Sequence, residues 1–121
     1  MKYDDNNVFA KILRGEIPCK KIYEDEYVLS FYDINPQKKI HALVVPKGKY
    51  INLDHFNQNA SDKEILGLIK GISIVSEKLG ISYKNGKGYR ALANISENGG
   101  QEVPHLHFHL FGGEKVGKMV S

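Results

Sequence analysis

Polar and apolar positions alternate most strictly between His105 and Leu110, where histidine occupies every second place and Leu106, Phe108 and Leu110 lie between. Successive side chains of a strand point to opposite faces. A strand from about His105 to Phe111 therefore buries the three apolar residues. The imidazoles line its other face, ~6.8 Å apart per two-residue step. Elsewhere the period changes. Val8, Phe9, Ile12 and Leu13 follow Asn6-Asn7 as a short capped helix ended by Gly15. Ile17-Pro18 opens a strand over about Lys20 to Glu24. Asp25-Glu26 turns it, and Tyr27 to Asp33 reads as the second strand, broken by Asn35-Pro36-Gln37. Ala42 to Val45, closed by Pro46, is a buried third strand, and Asn57 to Ser61 a polar loop.

Ser61-Asp62-Lys63-Glu64 forms a capping box at the head of a long helix. Its apolar stripe is Ile65, Leu68, Ile69, Ile72, Val75 and Leu79, and Gly80 stops it. A turn over Asn85 to Gly88 precedes a strand from Tyr89 to about Asn94. A loop over Ser96 to Gly100 leads to the histidine strand, which Gly112-Gly113 ends. Strands outnumber helices and most connections are short, so the fold class is α+β with a chiefly antiparallel sheet.

Composition narrows the function classes. With 121 residues the chain is expected to be one domain, 1–121, with its core at about 8–113 and a tail at 114–121. It is 41% apolar and 26% charged, the balance of a globular protein. The net charge of +3 is scattered, with a local excess only at Gln37-Lys38-Lys39, which excludes a nucleic-acid partner from the expectations. No run reaches the ~18 apolar residues of a membrane span. The polar start Met1 to Asn7 is unlike a secretory signal, and the single Cys19 fits a reducing cytoplasm.

The chain has five histidines, three of them within the alternating stretch. Neutral imidazoles support three readings. They can be structural. They can hold a metal, a His-x-His pair being joined by His41 or Glu102, although a straight row of three does not converge because its outer members sit about 13 Å apart. Or the central His107 can attack phosphorus, with its neighbours binding phosphate oxygens or orienting the ring. Gly99-Gly100-Gln101 can offer backbone N–H groups to that phosphate.

Gly99-Gly100-Gln101-Glu102-Val103-Pro104-His105-Leu106-His107-Phe108-His109-Leu110 resembles the signature of the histidine triad superfamily, and Gly-Gly-Gln points to its Hint branch. Val8 to Ile12 with Gly15 to Pro18, Phe31 to Gln37, His41, Val44 to Lys47, Tyr89-Arg90 and Asn94 extend the likeness over about residues 8 to 113. The resemblance implies a five-stranded sheet with one short and one long helix, dimerising into a continuous sheet. It implies a purine nucleoside phosphoramidase in which His107 attacks the α-phosphate, His105 and His109 flank it, and His41 completes the cluster. Asp33 would hold the ribose. Phe9, Ile12, Ile17 and Ile34 would form the purine slot. Asn94, Gly100, Gln101 and Glu102 would lie along the phosphate and leaving group.

Departures from the pattern shape these expectations. Many bacterial relatives in the family carry Cys-x-x-Cys where this chain has Asn7-Val8-Phe9-Ala10, so no zinc and no other cofactor is expected. Glu102 stands where animal Hint proteins have serine. The tail Glu114 to Ser121 lacks tryptophan. The alternatives are a Fhit-type dinucleoside polyphosphate hydrolase or a nucleotide-binding regulatory scaffold. A uridylyltransferase is disfavoured because His109 is retained, and an aprataxin-like role because no zinc-finger extension is present.

Overall fold

The computed structural model describes residues 2–120; Met1 of the polar start and Ser121 of the tail lie outside the described residues. Helix α1 (Val8–Leu13) starts at Asn7, whose side chain accepts from the Ala10 amide at 2.9 Å. It is followed by β1 (Lys21–Glu24), β2 (Val28–Tyr32) and β3 (Ile40–Pro46), then α2 (Leu53–Asn59) and α3 (Asp62–Lys78), and finally β4 (Arg90–Leu92) and β5 (Phe108–Gly112). The five strands form one sheet in the order β1-β2-β3-β5-β4, every neighbouring pair antiparallel. The α+β expectation and the five-stranded antiparallel sheet hold.

The capping box holds as well: Ser61 accepts from the Glu64 amide, and the Glu64 carboxylate accepts from the Ser61 amide. Gly80, at φ +72°, lies in the left-handed region that ends the helix. Leu68, Ile72 and Val75 of α3 pack on Val28, Ala42 and Val44 of the sheet. Fully burying one such side chain contributes about 1.5–3 kcal/mol. The stripe is narrower than expected, since Ile69 is 55% exposed. Gly71 takes the contact beside Ile72, where an added Cβ would come within 3.0 Å of Val28 Cγ2, and this close approach turns Ile69 outward.

Helix α2 corrects the polar loop expected over Asn57 to Ser61. Asn52 caps it by accepting from the His55 amide, and Phe56, 1% exposed, anchors it in the core. Asn57, Gln58 and Asn59 form its exposed side. One buried aromatic in seven residues leaves no helical period to read. Strand β4 is also shorter than the expected Tyr89–Asn94, as only Arg90, Ala91 and Leu92 pair with β5.

The two faces of the sheet divide the labour. Leu106 and Leu110 join the core under α3, with Phe108 packed against it. Phe9, Leu29, Phe31, Leu43 and Val45 form a second apolar cluster, which α1 supplies from one end. His109 stands opposite Leu43 in register, and His41 opposite Phe111.

Candidate active site

The regular strand begins only at Phe108, so the straight histidine ladder is corrected. Val103 to His105 form a bend in which the His105 amide donates to the Val103 carbonyl at 2.9 Å. The Leu106 amide then goes to Tyr50 O at 2.8 Å instead of to a strand neighbour. This bend folds the His105 ring inward, to 0% exposure. Its Nε2 lies 2.9 Å from Pro46 O and its Nδ1 2.5 Å from the Tyr3 hydroxyl. His105 is therefore a buried support rather than a solvent-facing member of a row.

Backbone partners dictate the tautomers of His105, His107 and His41, because a carbonyl only accepts and an amide only donates, and His41 in turn sets that of His109. Pro46 O requires a proton on His105 Nε2, so Nδ1 accepts from Tyr3. The His105 carbonyl, 2.7 Å from His107 Nδ1, requires a proton there and leaves His107 Nε2 with a lone pair. That Nε2 has no partner among the described residues. No buried side-chain nitrogen among them goes unpaired, so it is the atom that meets solvent. On the other side, the Gln37 amide donates to His41 Nδ1 at 3.2 Å, so His41 Nε2 carries the proton. It donates to His109 Nδ1 at 2.9 Å, which leaves His109 Nε2 as an N–H donor.

Burial keeps the rings neutral. It pushes His105 down to about 4, with the His107 ring adding to the fall and the Pro46 bond opposing it. Burial also takes His109 to about 4, helped by the neighbouring His107 and His41 rings. His107 and His41 are lowered by burial too, and Asp33 opposes the shift in both. A free lone pair and an N–H donor are thus both available near neutral pH.

Phe9 stands edge-on to His107 at 4.8 Å between ring centres, and Ile12 packs on the same apolar cluster. Phe111, which the sequence reading did not single out, supports His41 at 4.3 Å. Asp33, Ile34 and His41 line a cavity of about 680 Å³. Within it Ile34 is 91% exposed, so this chain alone does not close the expected apolar slot around it. Ile17 is half-buried and does not line the cavity beside Asp33 and His41. Asp33 also holds its own turn by accepting from the Asn35 amide at 2.8 Å. Asn94 and His109 share a second cavity of about 630 Å³ with Lys38, Arg90 and Lys118. Here the tail folds over its own β4: Arg90 donates to the carbonyls of Gly117 and Lys118, each at 2.9 Å.

The glycine loop behaves differently from the expectation. Gly100 N–H donates to Glu97 O and Gln101 N–H to Ser96 O, both at 3.0 Å, so neither amide is free for a phosphate. The Gln101 amide group is likewise engaged, donating to Ile51 O at 2.6 Å and Val103 O at 3.0 Å and accepting from Ser96 N. The loop is tied to the scaffold. Exposed Glu102 acts on His107 through its charge, raising that ring's affinity for a proton. The fifth histidine, His55, accepts from Ile51 N and braces α2.

Asp33, His41 and His109 bring ligand atoms within 4.8 Å of one another. Their protonation does not suit a metal. The Gln37 amide occupies the His41 lone pair, and the atom facing the cluster is an N–H. Asp33 Oδ2 lies 3.5 Å from that nitrogen, long for a hydrogen bond, and with a neutral ring the contact is not an ion pair.

The chain is similar to known proteins over most of its length. The HIT domain pattern matches residues 14–116. An uncharacterized HIT-like protein of Azospirillum brasilense is 50% identical over 119 residues, 98% of this chain and 95% of the relative. The solved HIT family hydrolase from Clostridium thermocellum superposes with a TM-score of 0.85 at 38% identity, covering 98% of this chain and 99% of that one. The histidine triad nucleotide-binding protein from Candida albicans gives a TM-score of 0.76 at 31% identity, over 87% of this chain and 73% of that one.

Proposed function

This chain belongs to the HIT domain family, and we propose that it is a nucleotide hydrolase that cleaves the P–N bond of purine nucleoside phosphoramidates through a nucleotidyl-histidine at His107. The observation that carries this reading is the 2.7 Å bond from His107 Nδ1 to the His105 carbonyl, which presents a bare Nε2 to solvent in a ring that burial keeps neutral. Attack by that lone pair forms an N–P bond as the substrate's P–N bond breaks, and the amine leaves with a proton from water. The phosphorylated ring gains positive charge, which the His105 carbonyl stabilises. Water then releases the nucleoside monophosphate and restores His107.

The His109 Nε2–H serves as a donor to a phosphate oxygen, and its neutral ring makes it a hydrogen-bond partner rather than an acid. Asp33, whose carboxylate faces the cavity shared with His41, suits ribose hydroxyls. Phe9 and Ile12 supply an apolar wall, with Ile17 and Ile34 completing it, and Asn94 borders the phosphate. Glu102 favours departure of an amine. No cofactor is required. The half-buried thiol of Cys19 fits a cytoplasmic setting. A homodimer is supported by the outer edge of β4, which pairs with no further strand among the described residues, and by Leu66 and Ile69, each 55% exposed on α3.

Rapid quench followed by mass spectrometry at alkaline pH tests the reading. A nucleotidyl adduct on His107 is expected, and an adduct on another residue overturns it. A second reading, the Fhit-type hydrolysis of dinucleoside polyphosphates, is favoured by Lys38, Arg90 and Lys118 around the cavity beside His109, a lining that contains no carboxylate. Turnover of adenosine phosphoramidate against diadenosine tri- and tetraphosphate separates the two. A regulatory scaffold predicts no turnover at all.

A further inference from the structure

We propose that Tyr3 is a positioning residue of this site: its hydroxyl fixes the His105 ring and, through the His105 carbonyl, the aim of His107. The contact joins residues 102 positions apart, with Tyr3 Oη 2.5 Å from His105 Nδ1 and the rings edge-on at 5.6 Å. His105 is fully buried, and its other nitrogen is committed to Pro46 O. Turning the ring over would set carbon atoms against both partners. With Tyr3 present, only one orientation and one tautomer satisfy both nitrogens. Without it, a buried Nδ1 is left unpaired and only the bond to Pro46 O still holds the ring.

The consequence reaches the reacting atom through one peptide group. The His105 carbonyl is the acceptor for His107 Nδ1–H at 2.7 Å. In the proposed reaction this bond strengthens as the His107 ring becomes cationic, so a misplaced carbonyl costs more in the transition state than in the bound ground state. The hydroxyl is a dependable donor, because burial pushes Tyr3 above its ordinary value. The segment that carries it is anchored. Asp5 pairs with Lys49 at 2.8 Å, and Arg14 donates to Asp5 O at 2.8 Å. The family pattern begins only at residue 14, so this support lies outside the matched region.

The inference rests on the proposed hydrolase only for its kinetic readout. In the full-length native chain, the Tyr3 hydroxyl proton is expected as a slowly exchanging NMR signal coupled to His105 Nδ1. Its absence overturns the proposal without any variant. In Tyr3→Phe, the His105 Nδ1 nitrogen should move to the shift of an unbonded imidazole nitrogen, and His107 Nδ1–H should move with it. With adenosine phosphoramidate, kcat should fall about tenfold or more with KM within about twofold, the pattern of lost positioning. Asp5→Asn, which weakens the exposed pair with Lys49 but keeps the Arg14 bond to the Asp5 carbonyl and the Tyr3 hydroxyl, should retain native kinetics. Unmoved histidine signals, a Tyr3→Phe kcat within about twofold of native, or an equal loss in Asp5→Asn each overturn it. Moved histidine signals in a native protein that turns nothing over would sink the hydrolase reading and leave the positioning role standing.

Discussion

His41 and His109 are joined ring to ring: the Nε2–H of His41 donates to Nδ1 of His109 at 2.9 Å, and the Gln37 amide holds His41 in the tautomer that allows it. Two imidazoles that each offer one lone pair are thereby arranged as a donor chain aimed outward. Loss of His41 should free His109 to adopt the opposite tautomer and remove its outward N–H. His41→Phe is therefore expected to lower kcat about ten- to a hundredfold, as loss of an orienting partner does. Steady-state kinetics check this, with His109→Ala expected to lose about a hundredfold or more.

His107→Ala removes the nucleophile but little of the binding surface. Turnover should fall by at least about a thousandfold. Nucleotide affinity, measured by calorimetry, should stay within about threefold of native. A variant that binds as before and still turns over at the native rate would exclude His107 as the attacking residue.

The buried rings set the pH response. Unfolded histidine titrates near its ordinary value of about 6.5, whereas folded His105 titrates at about 4. Between those values the unfolded chain binds more protons, so stability rises with pH. The contribution is complete above pH ~6.5 and is lost progressively down to about 4. For His105 it is of order 3 kcal/mol. Urea denaturation at pH 7.5, 6, 5 and 4 should show this fall, and His105→Asn should flatten it. By the same sign, the acid limb of kcat/KM should lie below the ordinary imidazole value, because burial lowers His107.

Gln101 tests whether the glycine loop is scaffold or phosphate cradle. Its Nε2 donates to Ile51 O and Val103 O. Gln101→Glu would set a carboxylate against both carbonyls and destabilise the fold by about 1–3 kcal/mol. A thermal melt at neutral pH should record the loss, with the bend that carries His105 becoming more mobile. An unchanged melting temperature with a raised KM would instead place the side chain on substrate.

Much of the architecture was legible wherever the controlling contacts are local. The Asn7 cap, the Ser61–Glu64 box and the Gly80 stop each act within a few residues. The alternation that sends Leu106 and Leu110 to one face and His107 and His109 to the other survives even though the strand begins at Phe108. Ile69 and α2 escaped for different reasons. Gly71 against Val28 turned one outward. A single buried Phe56, with no period of its own, held the other.

The sequence by itself determined which residue types face which way, because alternation and helical period are properties of neighbouring residues. Only the tertiary structure decided what each imidazole can do. His105 takes its tautomer from Tyr3 and Pro46, His41 from a turn amide, and His109 from a ring 68 positions away. A proton's place on a ring depends on which partner the fold brings within 3 Å or so, and sequence spacing carries no record of contacts made across the sheet.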